Sequence, residues 1–174
     1  MESIKSLFKH APSDVVESAI EAASICMVSP PRQRLYLAGP MRGIPYYNYP
    51  EFERIKGLLT LMNVDVVSPV DLDRDHGFDA MKLPEGWTVD DVDWHRMPEG
   101  LEIGAVLARN VKAIGTTDGI VVMDGWRRSG GSLMEMMAVR AMRLKLYEIE
   151  EDTHSIFGIK LVRRTLVEPR LKLI

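Results

Sequence analysis

The chain has 174 residues, a formal net charge of -3 and an isoelectric point of about 5.8. This length can bury one hydrophobic core, and the acidic balance argues against polymeric nucleic acid as a partner, because neutralising many phosphates requires a basic excess. Cys26 is the only cysteine, which excludes an intrachain disulfide and a cysteine-based zinc site. No stretch has the layout of a signal peptide or the length of a membrane span, so we expect a cytoplasmic protein with no membrane partner.

The first predicted element is a helix over residues 13–27, where apolar residues recur at helical spacing. A Ser-Pro-Pro run ends it before the first strand signal. We therefore divide the chain into an N-terminal helical extension, residues 1–30, and one domain, residues 31–174. The extension packs either on that domain or on another subunit.

Strands and helices then alternate along the chain. Short apolar runs predict strands at 34–38, 64–69, 119–123 and 145–149, and helical periodicity predicts helices at about 50–62, 101–115 and 132–143. The segment 157–162 either adds a strand or wraps the surface. Such alternation predicts an α/β fold, a Rossmann-like (flavodoxin-like) three-layer sandwich with a mostly parallel sheet of about five strands.

Two polar, glycine-bearing loops follow predicted strands, at residues 39–48 and 124–131. Ligands of parallel sheets bind beyond the carboxyl ends of the strands, at the point where the chain order reverses. We therefore expect these two loops to face each other across one cleft.

The stretch 70–100 shows little periodicity and is longer than most connections, which makes it a candidate lid or binding loop. Its Trp87 and Trp94 either stack on a base or pack within the lid. The acidic run at 71–77 has the appearance of a calcium loop, but its glycine falls one place late and Lys82 stands where the bidentate glutamate is needed. We therefore interpret it as a solvated acidic loop and expect no metal and no cofactor.

The segment 124–135 contains the residue types best suited to bind an anion or to react with a ligand. Gly130 and Gly131 let backbone N–H groups approach an anion, and the following helix offers its positive dipole end to the same anion. Glu135 lies near the start of this helix. The spacing Ser132-x-x-Glu135 is also that of a capping box, in which the glutamate only satisfies the helix start, and the spacing alone favours this capping role.

The loop that begins at Gly39 lacks both the dinucleotide fingerprint and the phosphate-loop pattern, so neither an NAD site nor an ATPase site is supported. Arg42 in this loop has two interpretations of equal weight. A guanidinium can clamp a phosphate through two hydrogen bonds, or the side chain is simply exposed.

Taken together, YLAGPMRG, the helix after PYYNYPEF, TDGIVVMDGW and SGGSLME resemble the nucleoside 2-deoxyribosyltransferase-like superfamily over about residues 34–149. The closest functional likeness is to the 2'-deoxynucleoside 5'-phosphate N-hydrolases, glycosidases of nucleotide metabolism that cleave the bond between base and deoxyribose phosphate. The resemblance implies a small-molecule deoxynucleotide as ligand, no cofactor, and a homodimer or higher homo-oligomer.

The resemblance also implies residue roles. Glu135 stands at the position of the nucleophile, which attacks the anomeric carbon and forms a glycosyl-enzyme ester that water opens. Tyr36 stands at the strand-one tyrosine, with Asn110 near the leaving base. The predicted catalytic residues are Glu135, Asn110 and Tyr36, and the predicted substrate-binding residues are Gly39, Met41, Arg42, Gly43, Asn48, Asp71, Asp124, Trp126, Ser129, Gly131 and Ser132.

Ser129 favours a phosphorylated substrate. Transferases of unphosphorylated nucleosides resemble this segment but carry an aspartate there, and that carboxylate would repel a phosphate.

Asn110 departs from the pattern, because the resembling family commonly places an aspartate there to assist proton delivery to the leaving base. Asparagine supplies no proton, and general acid catalysis is worth roughly 10² to 10⁴-fold.

The resemblance makes the first hypothesis cleavage of the N-glycosidic bond of a 2'-deoxynucleoside 5'-monophosphate, by hydrolysis or base exchange. The alternatives are a catalytically weak or inactive nucleotide-binding or sensor protein of the same fold, and an interaction subunit that docks through its N-terminal helix.

Overall fold

The computed structural model describes residues 33–83 and 102–165, together with helical residues 13, 16–18, 20 and 21. These few helical residues lie within the helix predicted at 13–27. The rest of that helix, the domain boundary after residue 30, Cys26, and Trp87 and Trp94 of the candidate lid lie outside the described residues. No helix within the described part is long and apolar enough to span a membrane.

In the part of the chain that the structure describes, five strands form a single sheet with the order β2-β1-β3-β4-β5. The strands are β1 (Gln33–Ala38), β2 (Val64–Val67), β3 (Gly119–Val122), β4 (Lys145–Glu151) and β5 (Ile159–Arg164). β1 to β4 are parallel, and β5 is antiparallel to β4. This is the flavodoxin-like order, in which the direction of winding reverses between β1 and β3.

Within residues 33–83 and 102–165, four α-helices accompany the strands: α1 (Tyr49–Leu61), α2 (Pro69–Asp75), α3 (Ile103–Ile114) and α4 (Gly130–Ala141). α1 and α3 agree with the predicted helices to within two residues, and α4 begins two residues earlier than predicted. The segment predicted at 157–162 either to add a strand or to wrap the surface contributes β5.

The sheet buries both of its faces, because successive side chains of a strand point to opposite sides. Leu35 and Leu37 of β1 join a core with α1 on one face. Tyr36 and Ala38 join a second core with α3 and α4 on the other face. The predicted three-layer α/β sandwich is therefore confirmed. Tyr36 points toward the face of the sheet that α3 and α4 cover.

The prediction of an irregular stretch from residue 70 onward is wrong at its beginning, where α2 forms. The Ser68 side chain accepts a hydrogen bond from the Val70 N–H and caps the helix at 3.3 Å. Pro69 occupies the first helical position, where its missing N–H costs nothing. A serine cap followed by proline is a readable helix start, and its short length of 7 residues hid the periodicity.

Candidate active site

The loops after β1 and β3 start side by side at the point where the sheet reverses direction. The Met123 N–H donates to the Ala38 carbonyl oxygen at 2.8 Å. A Cβ atom added to Gly39 would lie 2.9 Å from the Met123 sulfur and 3.1 Å from the Met123 Cβ, so a larger residue here would have to displace the start of the second loop's side chains. The two loops therefore diverge from one place and open a cleft between them.

This cleft is a pocket of about 350 Å³, a size typical of small-molecule sites. Both loops contribute to its wall, as the sequence predicts, together with α2, α3 and the start of α4. The described lining residues are Gly39, Met41, Arg42, Tyr47, Pro69, Asp73, Phe78, Ile103, Val106, Leu107, Asn110, Ser129, Gly130, Gly131, Ser132, Met134 and Glu135. Arg42 and Glu135 thus share one pocket.

Glu135, in the second turn of α4, is held by two neutral donors. The Tyr36 hydroxyl donates to Oε1 at 2.7 Å, and the Asn110 amide nitrogen donates to the same oxygen at 3.1 Å. The residue is only 5% exposed, although it lines the pocket. The three predicted catalytic residues therefore form one hydrogen-bonded cluster, which is defined here as the Glu135 cluster.

The capping-box interpretation of Glu135 is wrong. The cap of α4 is Ser129, whose Oγ accepts a hydrogen bond from the Ser132 N–H at 3.3 Å. Ser132 lies inside the helix, so the spacing Ser132-x-x-Glu135 does not mark its start. The carboxylate is therefore available to the pocket.

Burial raises the pKa of Glu135 to about 7, and this effect outweighs the hydrogen bonds from Tyr36 and Asn110 and the positive charge of Arg109, which all lower the pKa. Burial also raises the pKa of Tyr36 well above its ordinary value, and the Glu135 carboxylate adds to the rise. Tyr36 is consequently a fixed hydrogen-bond donor, and Glu135 exchanges between its acid and carboxylate forms near neutral pH.

A buried ion pair that the sequence did not reveal orients Asn110. Arg109 donates through Nη2 to Asp73 Oδ1 at 2.6 Å and to the Asn110 amide oxygen at 3.0 Å. The Tyr49 hydroxyl donates to the other oxygen of Asp73 at 2.7 Å. Because the Asn110 oxygen accepts from Arg109, the amide nitrogen faces Glu135. Arg109 therefore fixes which end of the Asn110 amide bonds to the carboxylate.

The start of α4 presents backbone and side-chain donors to the same pocket. Gly130 and Gly131 occupy its first two positions and line the pocket. Ser132 is 1% exposed, and its Oγ has no hydrogen-bond partner in the described part of the chain. A buried hydroxyl without a partner is costly unless a ligand or water satisfies it, and the helix start beside it carries a partial positive charge.

A protein-family model matches residues 33–148, more than half of the chain, and its description is "Domain of unknown function (DUF4406)". The chain belongs to this family. The match runs from β1 into β4 and includes the Glu135 cluster, Arg42 and the start of α4. No curated protein and no solved structure matches this chain.

The acidic run 71–77 of this DUF4406 domain is divided between two uses. Asp71 pairs with Lys56 Nζ at 2.7 Å and is absent from the described lining, whereas Asp73 is buried and lines the pocket. The interpretation of a solvated acidic loop is therefore wrong for Asp73. Within the described ranges, no group of three or more histidine, cysteine, aspartate or glutamate side chains could hold a metal ion.

The described lining does not include four further residues that the sequence predicted to bind substrate: Gly43, Asn48, Asp124 and Trp126. Asn48 donates from its amide to the Pro40 carbonyl oxygen at 2.9 Å and so closes the first loop. Asp124 accepts the Gly125 N–H at 2.7 Å, and the Trp126 ring lies 4.6 Å below the Arg127 guanidinium. These side chains shape the loops rather than the pocket surface.

One wall of the pocket is apolar and was not predicted, apart from Met41. Its side chains come from the first loop, from the segment after α2 and from the outer turns of α3 and α4: Met41, Tyr47, Phe78, Ile103, Val106, Leu107 and Met134.

The first loop also contains strained backbone, because Tyr46, Tyr47 and Asn48 all have φ between 51 and 61°. Three successive non-glycine residues in this region store strain that is characteristic of functional loops.

Proposed function

We propose that this DUF4406 domain cleaves the N-glycosidic bond of a 2'-deoxynucleoside 5'-monophosphate, by hydrolysis or base exchange, with Glu135 as the nucleophile. The observation that carries the proposal is that a buried carboxylate, Glu135, and the glycine-rich start of α4 lie on the walls of one pocket. The resemblance of the loops to the nucleoside 2-deoxyribosyltransferase-like superfamily supplies the reaction class.

The pocket offers a separate environment to each part of such a substrate. We assign the 5'-phosphate to the start of α4, where the N–H groups of Gly130 and Gly131 meet the Ser132 hydroxyl, and to the guanidinium of Arg42. The apolar wall of α3 and Phe78 suits the base. The deoxyribose then lies between these two parts, beside Glu135.

The Glu135 cluster suits a positioned nucleophile. Both hydrogen bonds that the described residues make to this carboxylate end on Oε1, so we assign the attack to Oε2. As the bond from Oε2 to the anomeric carbon forms, the bond to the base breaks, and its electron pair leaves with the base, which takes a proton from water. A second water then opens the ester at the anomeric carbon and restores the carboxylate, and its proton goes to solvent.

The ionisation of Glu135 sets the expected pH dependence. A nucleophile has to be the carboxylate, and the pKa is about 7, so the rate of base release rises with pH through neutrality. An enzyme whose glutamate acted as a general acid would instead lose rate over the same range.

Asn110 gives specific support to a second candidate, a nucleotide sensor with little or no turnover. Its amide oxygen is used by Arg109 and its nitrogen by Glu135, and an amide supplies no proton to a leaving base. The other carboxylate of the described lining, Asp73, accepts hydrogen bonds from Arg109 and Tyr49. A sensor binds a deoxynucleotide in the same orientation and releases no base.

The test is incubation of the purified full chain with each of the deoxynucleoside 5'-monophosphates, with free base resolved by chromatography. The proposal predicts base release by wild type and by Glu150→Gln, a surface change on β4 whose partners Lys160 and Arg164 lie on β5, and a loss on the order of 10⁴-fold or more in Glu135→Gln. Equal release by wild type and Glu135→Gln overturns the role of Glu135.

Calorimetry on the same samples separates the enzyme from the sensor. Saturable binding of a deoxynucleotide without base release supports the sensor, which further predicts that Asn110→Asp gains turnover. If neither binding nor release occurs with any deoxynucleotide, both candidates are wrong.

A further inference from the structure

A second pocket of about 310 Å³ adjoins the first at the start of α4. Arg42, Ser129 and Gly130 line both pockets, so the two spaces share one wall. Gly125 and Arg128, from the loop after β3, line only the second. A ligand held at the start of α4 therefore lies beside residues that also line the second pocket.

The second pocket is positively charged. Its described lining contains two arginines, Arg42 and Arg128, and no aspartate or glutamate. The nearby carboxylate of Asp124 accepts the Gly125 N–H and is not part of the lining. Because the N–H groups at the start of α4 add a partial positive charge, the occupant that this space favours is an anion.

Two successive arginines in this loop have different environments. Arg127 donates to Glu148 Oε1 at 2.6 Å and lies over the Trp126 ring, so its guanidinium has structural partners. Within the described ranges, the Arg128 side chain makes no hydrogen bond or ion pair, and it lines the second pocket. Arg128 is thus the cation that the loop leaves for a ligand, and Arg127 is its natural control.

The buried Ser132 hydroxyl is independent support for an anion in the first pocket, because its Oγ is 1% exposed and has no described partner. It lies on the helix start that the two pockets share. Ser129 and Gly130, which line both pockets, precede it at the same helix start.

We propose that the second pocket is a subsite for a second phosphoryl group, bonded to the 5'-phosphate at the start of α4. The proposal rests on the proposed function for the orientation of the nucleotide, and it extends the substrate class to nucleoside 5'-diphosphates. Arg128 discriminates between one phosphate and two, while Arg42 lies on the wall that both phosphates share.

The anion subsite is tested without turnover, by calorimetric titration of the full chain with inorganic phosphate and with pyrophosphate. The proteins are wild type, Arg128→Gln and the matched control Arg127→Gln, with thermal melting to show that each is folded. Because a hydrogen bond to a charged group is worth about 1.5 kcal/mol or more, Arg128→Gln weakens pyrophosphate binding about tenfold and leaves phosphate binding within about twofold. Arg127→Gln leaves both affinities unchanged.

Three results overturn the subsite: equal weakening of phosphate and pyrophosphate in Arg128→Gln, no weakening of either, or the same loss of pyrophosphate affinity in Arg127→Gln. The first of these would mean that the second pocket holds the only phosphate.

A base-release assay with deoxynucleoside mono- and diphosphates separates this inference from the proposed function. Base release from the monophosphate, with no effect of Arg128→Gln on the preference between the two substrates, would overturn the subsite and support the proposed enzymatic function. Pyrophosphate binding that depends on Arg128, without base release from either substrate, would support the subsite and overturn the proposed enzymatic function.

Discussion

Two carboxylates of this domain, Glu135 on α4 and Glu148 on β4, each accept two hydrogen bonds and have opposite properties. Glu135 is buried and takes both bonds from neutral donors. Glu148 takes its bonds from Arg127 at 2.6 Å and Arg164 at 2.8 Å, in a surface cluster on β4 and β5. Burial raises the pKa of Glu135 to about 7. At Glu148, partial burial acts in the same direction, but the bonds from Arg164 and Arg127 outweigh it and lower the pKa.

The difference shows that neutral donors do not compensate a carboxylate for lost water, whereas charged donors at the surface do. The Glu135 cluster therefore contains a group whose ionised form is destabilised by burial. The surface cluster contains only ionised groups that are already satisfied. Four predictions test this contrast.

The largest effect is expected from breaking the buried ion pair behind the cluster. In Asp73→Ala, Arg109 keeps its charge in a site where each side chain of the pair is 11% exposed. Removing one partner of a buried pair typically costs about 3–5 kcal/mol, so the free energy of unfolding in urea falls by that amount. The matched surface change, Arg164→Ala, lowers the free energy of unfolding far less, because exposed ion pairs contribute little. Equal losses of unfolding free energy in Asp73→Ala and Arg164→Ala would contradict the contrast between the buried and the surface ion pair.

The next effect is a gain in stability from Glu135→Gln at high pH. Between the ordinary pKa of 4.5 and about 7, the folded chain holds a proton that the unfolded chain has released, so stability falls as pH rises and the loss is complete above pH 7. Glutamine never ionises, and the variant is more stable than wild type at pH 8 by on the order of 3 kcal/mol. Urea unfolding at pH 4 and pH 8 measures this. A variant that is less stable at pH 8 contradicts the raised pKa.

A smaller effect is expected from Tyr36→Phe. The Tyr36 hydrogen bond lowers the pKa of Glu135, so its loss moves the pKa further above 7 and the midpoint of the pH–rate profile moves upward. The loss of one hydrogen bond, about 1 kcal/mol, reduces base release at pH 7 about fivefold. Tyr147→Phe is the control, because that hydroxyl donates to the Gln33 side chain at 2.9 Å, outside the Glu135 cluster. A midpoint that does not move shows that Tyr36 does not set the ionisation of Glu135.

The smallest effect is expected from Glu148→Gln. The lowered pKa of Glu148 means that its pairs stabilise the fold above its ordinary pKa of 4.5 and stop doing so as the pH falls through the lowered value. The variant therefore loses less than about 1 kcal/mol at pH 7, and the loss shrinks as the pH falls below 4.5. The sign is opposite to that of Glu135→Gln, and the same unfolding series checks it. A gain at pH 7 would contradict the account of the surface cluster.

The sequence predicts the sheet, most helices and the cleft, because these depend on periodicity and on the order of the strands. It fails where a side chain chooses between a local and a distant partner. The run SGGS offers two serines as caps, and spacing does not show that Ser129 rather than Ser132 has this role. Glu135 meets Tyr36 across 99 residues, and Arg109 meets Asp73 across 36. No local pattern records such contacts.

The most direct test of Glu135 as the nucleophile is covalent trapping with a 2'-fluoro-arabinose nucleoside 5'-monophosphate that carries a good leaving base. The fluorine slows both steps by destabilising the oxocarbenium-like transition state, and the good leaving group lets the ester accumulate. Mass spectrometry is predicted to find one sugar phosphate adduct per chain, on the peptide that contains Glu135. Release of the base with no adduct, or an adduct on another residue, would contradict the account.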